Sequence, residues 1–394
     1  MLEPLGESQV VSYLERLAVD RSVTLLSFEK HSDLMDDARR VAMRRRLEAA
    51  GIRWIVKRYH HRPYAVAKAY DILTALAVGL RWGRGRGPRL IHARGYLPAL
   101  MALVIRACVP ARFIFDMRGF WADERVEAGL WRSGGRVHRT VKRLERRFFE
   151  GADAIISLTH DGVRAFDTLG YRIAPSTVVT VISTCVDLDR FRPGAKSATR
   201  LAQLQLEDSI VLGCVGTMSG WYLRKEMLRY LGLLVGRIER AKVLIVTRED
   251  HHVLRADARA AGLDDSAIRL VRADFREMPE LYRLIDLGLL LLRPSFSERA
   301  RASTRVGELL ASGVPVIMNR SGGDASSIIV EEHAGLVLPD TTDGAFQGSI
   351  EDVHRLLDDR DASRRCRLAA ERHFDLRAGV SRYGALYDQL AARG

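Results

Sequence analysis

The 394-residue chain suits two domains of roughly 150 to 200 residues better than one. Its 47% apolar and 28% charged residues exclude a disordered chain, a collagen-like repeat and a disulfide scaffold, and its longest apolar run, 97–105, falls well short of the ~18 to 20 residues of a membrane span. Of the net charge of +13 (62 minus 49), +12 lies in residues 1–180 and +1 in 181–394, so the front half is expected to meet something anionic: a charged substrate, a nucleic acid or the phosphate face of a bilayer.

The opening MLEPLGESQ has neither the basic start nor the apolar core of a secretory signal, which points to the cytoplasm. A helix over 8–20 then feeds a strand over 23–28, with no strand before it. The first strand of a doubly wound sheet is usually central, so a strand is expected to be missing upstream of this start, with a reduced natural sheet as the alternative. Strands over 52–57, 90–92, 113–116, 154–158 and 178–182 alternate with helices over 33–50, 64–80, 97–108, 136–150 and 160–168, the pattern of a parallel sheet covered on both faces. The 64–80 helix runs into Arg81-Trp82-Gly83-Arg84-Gly85-Arg86-Gly87-Pro88-Arg89, which fits an anchor on lipid phosphates, a plain solvated loop being the alternative. It lacks the interleaved aromatics of a base-stacking segment, so no nucleic-acid partner is expected. After the linker-like Arg190-Phe191-Arg192-Pro193-Gly194, strands over 210–215, 243–246, 268–271, 287–292 and 314–318 restart the alternation. Two doubly wound domains, 1–190 and 191–374, are the economical organisation, followed by a helix within 375–394.

Four cysteines, at 108, 185, 214 and 366, match no metal or paired-thiol spacing and read as reduced core residues. The histidine pairs 60–61 and 251–252 read as surface residues, and Asp187-Leu188-Asp189 as a turn in the linker rather than a metal-holding DxD, so no metal site is expected.

Open α/β sheets bind ligands at the carboxyl ends of their strands, and four segments stand there. Asp116-Met117-Arg118-Gly119-Phe120-Trp121-Ala122-Asp123-Glu124 packs two aromatics, an arginine and three acids into nine residues. Gly213 to Tyr222 is a glycine turn whose backbone amides can approach a phosphate. Arg301 to Ile317 predicts a short helix capped by Ser303 or Thr304, stopped by Gly313, with Pro315 barring its continuation. Its Arg305 and amides suit a diphosphate, and Glu308, one turn in, suits vicinal hydroxyls such as those of a ribose. Ser321-Gly322-Gly323-Asp324 is another glycine turn opening a helix.

In order and wording these segments resemble glycosyltransferase family 4. EPLGESQVVSYLERLA is similar to the family's glycine-containing first loop and helix, IHARGY and FDMRGFWADERVEAGLW to the acceptor-side loops of its bacterial surface-polysaccharide branch, VISTCVDLDRFRP to the entry into the second domain, and STRVGELLASGVPVI to the nucleotide-sugar signature. The resemblance implies the GT-B fold: α/β, two Rossmann-like doubly wound domains facing a central cleft, with the last helix crossing back to the first domain. It implies a hexosyltransferase-like enzyme moving a sugar from a nucleotide-diphosphate donor to a lipid-linked or polysaccharide acceptor of the cell envelope, with retention and no cofactor or obligatory metal. Arg305, Ser303, Thr304, Gly216 and Thr217 would bind the donor diphosphate, Glu308 the ribose, and Gly6 and Ser8 would line the cleft. Arg118 and His92 would face the donor sugar or acceptor, and Arg305 would also act in catalysis. The basic first domain would rest on the inner face of the membrane. The chain departs from the family pattern in four places: Ala300 stands where the first of two paired glutamates is common, with Glu298 nearby but out of register; Arg305 replaces a frequent Lys; Arg118 replaces a frequent His; and the glycine turn lacks its usual Arg and Lys, although Arg224 and Lys225 lie close. A nucleotide-sugar epimerase of the same architecture and a non-enzymatic, basic nucleic-acid-binding protein are the alternatives.

Overall fold

A computed structural model describes residues 1–60, 64–83 and 90–393; part of the arginine-rich segment, 84–89, therefore lies outside the described residues. The chain divides into two compact units. Residues 1–183 and 376–394 make the first and residues 184–375 the second.

In the second unit six parallel strands carry the core: β7 (Ile210–Val215), β8 (Ala241–Val246), β9 (Ile268–Val271), β10 (Leu287–Leu290), β11 (Val316–Asn319) and β12 (Gly335–Leu338). Their order is β12-β11-β10-β7-β8-β9, the doubly wound order with the first strand of the unit at the centre. The central strands read as unbroken apolar runs because helices cover both faces, and β7, β8, β10 and β11 are almost wholly buried. β12, set at the edge, was not anticipated: GLVL is too short and too glycine-rich to announce itself as a strand.

The first unit holds β1 (Val23–Glu29), β2 (Ile52–Arg58), β3 (Leu90–Arg94), β4 (Arg112–Asp116), β5 (Ala154–Ser157) and β6 (Val178–Val181). They form two parallel sheets, β1-β2 and β3-β4-β5-β6, and among the described residues no strand hydrogen-bonds β1 to β3. Against the second sheet the helix Arg136–Gly151 buries Glu145, Phe148 and Phe149 on one helical face, with both phenylalanine rings meeting Phe115 of β4. The C-terminal helix Leu376–Ala391 packs in this same unit: Arg21 grips Asp388 with two hydrogen bonds of 2.8 Å, and Tyr383 meets Tyr13 edge-on at 5.5 Å.

Several local expectations need correction. The segment 33–50 is two helices broken at Asp36, whose backbone leaves the helical conformation and whose carboxylate accepts from the Arg39 amide. Residues 121–127 are a helix, within the segment whose resemblance pointed to acceptor-side loops. Gly6 and Ser8 lie in helical turns, not in a glycine loop; Gly6 has an ordinary right-handed φ of −63°, and a Cβ there would come within 2.7 Å of the Met1 backbone. Cys185, Cys214 and Cys366 are buried free thiols, but Cys108, just past its helix, is exposed.

Candidate functional site

In the second unit the chain leaves β7 at Gly216, whose φ of +82° suits glycine and whose amide donates to the Val246 carbonyl at 2.7 Å. The turn is also closely occupied: a Cβ at Gly216 would stand 2.5 Å from the Arg305 guanidinium, which instead donates to the Thr217 carbonyl at 2.7 Å and lies 4.2 Å over the Tyr222 ring. Arg301 covers the neighbouring Trp221 at 4.0 Å. Two arginines four residues apart thus lie on two adjacent aromatics and bring a concentrated positive charge to the carboxyl end of β7. The loop under them is pinned by Glu249, which accepts from the Met218 amide at 3.2 Å and from the Ser219 hydroxyl. Arg224 is committed to Glu249 and Asp257 at 3.1 and 3.0 Å. It is thereby engaged away from the diphosphate role its position in the sequence suggested.

Arg305 belongs to the helix Thr304–Ala311, which ends where expected, with Gly313 at φ +77°. The cap differs from expectation. Ser303 occupies the N-cap position without making a capping bond, and its buried Oγ has no partner among the described residues. The first turn of this helix therefore presents uncapped amides together with a free hydroxyl. One turn further on, Glu308 accepts from the Tyr282 hydroxyl at 2.6 Å, and burial, opposed by Tyr282 and Arg305, pushes its carboxyl up to about 7.

Sequence reasoning set Glu298 aside for its register. It is 2% exposed, accepts from the Gly322 amide at 3.2 Å through Oε2 and leaves Oε1 buried and unbonded. Burial raises its carboxyl to about 7 against the pull of Gly322, Ser321 and Arg301. Gly322 is required by the same closeness, since a Cβ would reach 3.0 Å from the Arg299 amide nitrogen. Because its carboxyl is raised from 4.5, the folded state keeps a proton that the unfolded chain loses. The contribution of this group to stability is full below about pH 4.5 and declines as pH rises through 7. Glu298→Gln removes that decline, so the melting temperature of the variant is expected to gain on the parent from pH 5 to about pH 7 and to level off above it. A constant difference over that range contradicts the assignment.

In the first unit β3 and β4 run side by side with Arg94 opposite Asp116. Asp116 is fully buried, and four groups converge on it: Arg94 Nη1 at 3.2 Å, His92 Nε2 at 3.4 Å, the Tyr383 hydroxyl at 3.4 Å and Arg118 Nη1 at 3.8 Å. Burial alone would raise this carboxyl, but Arg118, His92 and Arg94 outweigh it and hold it well below the usual carboxylate range. His92 is fixed at its other nitrogen by the Tyr387 hydroxyl, 2.7 Å from Nδ1. Arg118 adopts φ +61°, a left-handed conformation that costs a non-glycine residue energy. Together with Gly119 it turns the chain sharply at the strand end. The two expected residues of this unit are therefore brought together, and Asp116, which organises them, lay unread in the same motif.

Beside this cluster is a cavity of about 350 Å³ lined in part by Lys68, Arg94, Arg118, Trp121, Glu124 and Arg125. Tyr96 shapes its floor: its hydroxyl donates to buried Glu145 and accepts from the Trp121 amide at 3.2 Å. Among the described residues no group of three or more His, Cys, Asp or Glu is placed to hold a metal ion. Asp187 caps a turn, accepting from the Asp189 and Arg190 amides at 3.1 and 3.3 Å.

Two parallel α/β units, each with a polar site at the carboxyl ends of its strands, define the GT-B class. Residues 8–184 match the model of the glycosyl transferase 4-like domain and residues 209–359 that of glycosyl transferases group 1. A D-inositol 3-phosphate glycosyltransferase 2 of Catenulispora acidiphila is 31% identical over 229 residues, 54% of this chain and 52% of the relative. A D-inositol 3-phosphate glycosyltransferase of Saccharomonospora viridis is 32% identical over 187 residues, 44% of this chain and 42% of the relative. The chain thus spans about half the length of these curated relatives, or less. Among solved structures, a glycosyltransferase from Rickettsia africae superposes with a TM-score of 0.73 at 14% identity, covering 99% of this chain and 96% of that one. Anabaena HepE in complex with UDP and glucose superposes with a TM-score of 0.69 at 14% identity, covering 98% and 96%. The chain belongs to the GT-B glycosyltransferases of the family 4 type.

Proposed function

We propose that the protein transfers a sugar from a nucleotide-diphosphate donor to a lipid-linked or polysaccharide acceptor, with retention at the anomeric carbon. The observation that carries this reading is Arg305, held across the Gly216 turn beside the uncapped start of its helix, with Glu308 one turn behind it. As the sugar leaves, negative charge gathers on the departing diphosphate, and a guanidinium and amides already fixed in place favour that state over the ground state. Ser303, Thr304, Gly216 and Thr217 complete the diphosphate cradle, and Glu308 takes the ribose hydroxyls. Glu298, buried and half-satisfied, is suited to a hydroxyl of the donor sugar. HepE, crystallised with UDP and glucose, supports a nucleotide-sugar donor. The test is nucleoside-diphosphate release from a panel of donors with and without saccharide and prenyl-linked acceptors. Acceptor-dependent release is expected; donor turnover to an isomeric sugar nucleotide without acceptor marks an epimerase instead.

The same reading assigns the protein to the cytoplasmic face of the membrane. On the helix Tyr64–Gly83, Val66, Tyr70 and Leu73 are 67%, 58% and 64% exposed at helical spacing, and Arg81 stands near its end. An apolar stripe beside basic residues suits the headgroup boundary of an anionic bilayer. No described helix is long and apolar enough to cross a membrane. Co-sedimentation with phosphatidylglycerol vesicles, and its absence with phosphatidylcholine vesicles, is the expected outcome; equal sedimentation with both, or none with either, removes the assignment.

A further inference from the structure

Glu308 does not stand alone in the second unit. Tyr282, on the helix Met278–Leu284, is fully buried, and its hydroxyl donates to Glu308 Oε2 at 2.6 Å. The tyrosine ring is edge-on to buried Phe191 at 5.6 Å, so the hydroxyl is delivered by a close-packed side chain with no room to swing. Burial and the neighbouring carboxylate hold this phenol well above 10, and it stays a donor throughout the neutral range. Among the described residues no hydrogen bond reaches the other oxygen, Oε1, and Glu308 is only partly buried. A carboxylate bonded from inside at one oxygen and open at the other is an acceptor with a fixed direction.

Few charges share its surroundings. Arg305 lies one turn back on the same helix. Arg190, in the segment leading into the unit, is stacked 3.6 Å over Phe275 and donates to the Phe275 carbonyl. On the helix Ala362–His373, which packs against Thr304–Ala311, Arg367 is committed to the carbonyls of Leu188, Phe191 and Ala311 at 3.1, 2.9 and 3.2 Å. Among the described residues only Tyr282 hydrogen-bonds the carboxylate itself.

We propose that Tyr282 is a positioning residue for the donor: by donating to Oε2 of Glu308 it aims Oε1 at the ribose and keeps the carboxylate an acceptor for the vicinal hydroxyls. The proposal rests on the reading of Glu308 as the ribose contact. Without the hydroxyl, burial acts on the carboxyl with only the two arginines against it. A hydrogen bond to an ionised group is worth about one to two pH units, so protonation, which falls at about 7, moves up by that amount. A protonated carboxyl offers a donor in place of an acceptor and no longer matches two hydroxyls.

The test is titration calorimetry from pH 6 to pH 9, with whichever of UDP, GDP and ADP the full chain binds tightest and with its 2′,3′-dideoxy analogue. The ratio of the two affinities isolates the ribose hydroxyls, because Arg305, Glu298 and the ionisation of the phosphates act on both ligands alike. In the parent this ratio is expected to rise between pH 6 and pH 8 and to level off above. In Tyr282→Phe, which keeps the ring and its packing, the ratio is expected to fall about fivefold or more at pH 7 and to return to within about twofold of the parent at pH 9. Glu308→Gln is expected to give a low ratio at every pH. An equal loss in Tyr282→Phe at pH 7 and pH 9 marks a tyrosine that only supports the fold, and an unchanged ratio at pH 7 one that does nothing for the ribose; either result overturns the proposal. A parent ratio of one throughout overturns the ribose contact itself, and failure of all three diphosphates to bind overturns the donor reading, each distinct from failure of the tyrosine alone.

Discussion

Replacing Arg305 by Ala is expected to lower kcat ~10²- to 10³-fold, the usual cost of losing one fixed donor aimed at developing charge, while the protein stays folded. Among the described residues the side chain makes one hydrogen bond, to the Thr217 carbonyl, and it lies over Tyr222 at the edge of the site, so little packing goes with it. Steady-state kinetics beside a circular-dichroism melt separates the two quantities. A fall in kcat with an unchanged melt supports the assignment, whereas unchanged turnover, or a collapse of the melt, contradicts it. Arg305→Lys should recover only part of the loss, because a single ammonium cannot both hold the loop carbonyl and meet a phosphate oxygen in the planar geometry of a guanidinium.

Asp116→Ala is expected to have the largest effect on stability, about 3–5 kcal/mol, because it leaves a buried cluster of cations without its counter-charge. The carboxylate is fully buried, and Arg94, His92 and Arg118 all face it. Its pH dependence runs opposite to that of Glu298. The folded carboxyl lies below the unfolded value of 3.8, so its contribution is present above that pH and is lost as pH falls through the lowered folded value. Urea melts at pH 7 give the loss directly, and it should narrow in more acidic solution. A variant as stable as the parent at pH 7 would show that the cations disperse into solvent instead of depending on Asp116.

The second unit was the more legible in sequence because its signals are local. Gly313 and Pro315 stop a helix by backbone geometry, and buried parallel strands read as plain apolar runs such as IVLGCV and VIMN. What escaped were pairings that chain spacing does not encode. Tyr282 reaches Glu308 across 26 residues, and Tyr383 and Tyr387 of the last helix reach the Asp116 cluster from more than 260 residues away. Glu298 was passed over because a fixed spacing to Glu308 was required of it. Burial and an unpaired oxygen, which only a folded chain reveals, mark it out. Arg301 and Arg305 over Trp221 and Tyr222 had a readable trace, two arginines four apart and two adjacent aromatics, but not the contact between them. The expected Ser303 cap failed because a hydroxyl at the N-cap position need not turn toward its own helix.

The claim at the centre of this account is that residues 303–308, with the Gly216 turn, hold the diphosphate of an activated sugar. Calorimetric titration with nucleoside, nucleoside monophosphate and nucleoside diphosphate of the preferred base, on the parent, Arg305→Ala and Glu308→Ala, tests it most directly. The account predicts a gain in affinity on adding the second phosphate that disappears in Arg305→Ala, and a loss in Glu308→Ala that is already present with the nucleoside alone. The same gain in Arg305→Ala as in the parent would contradict it.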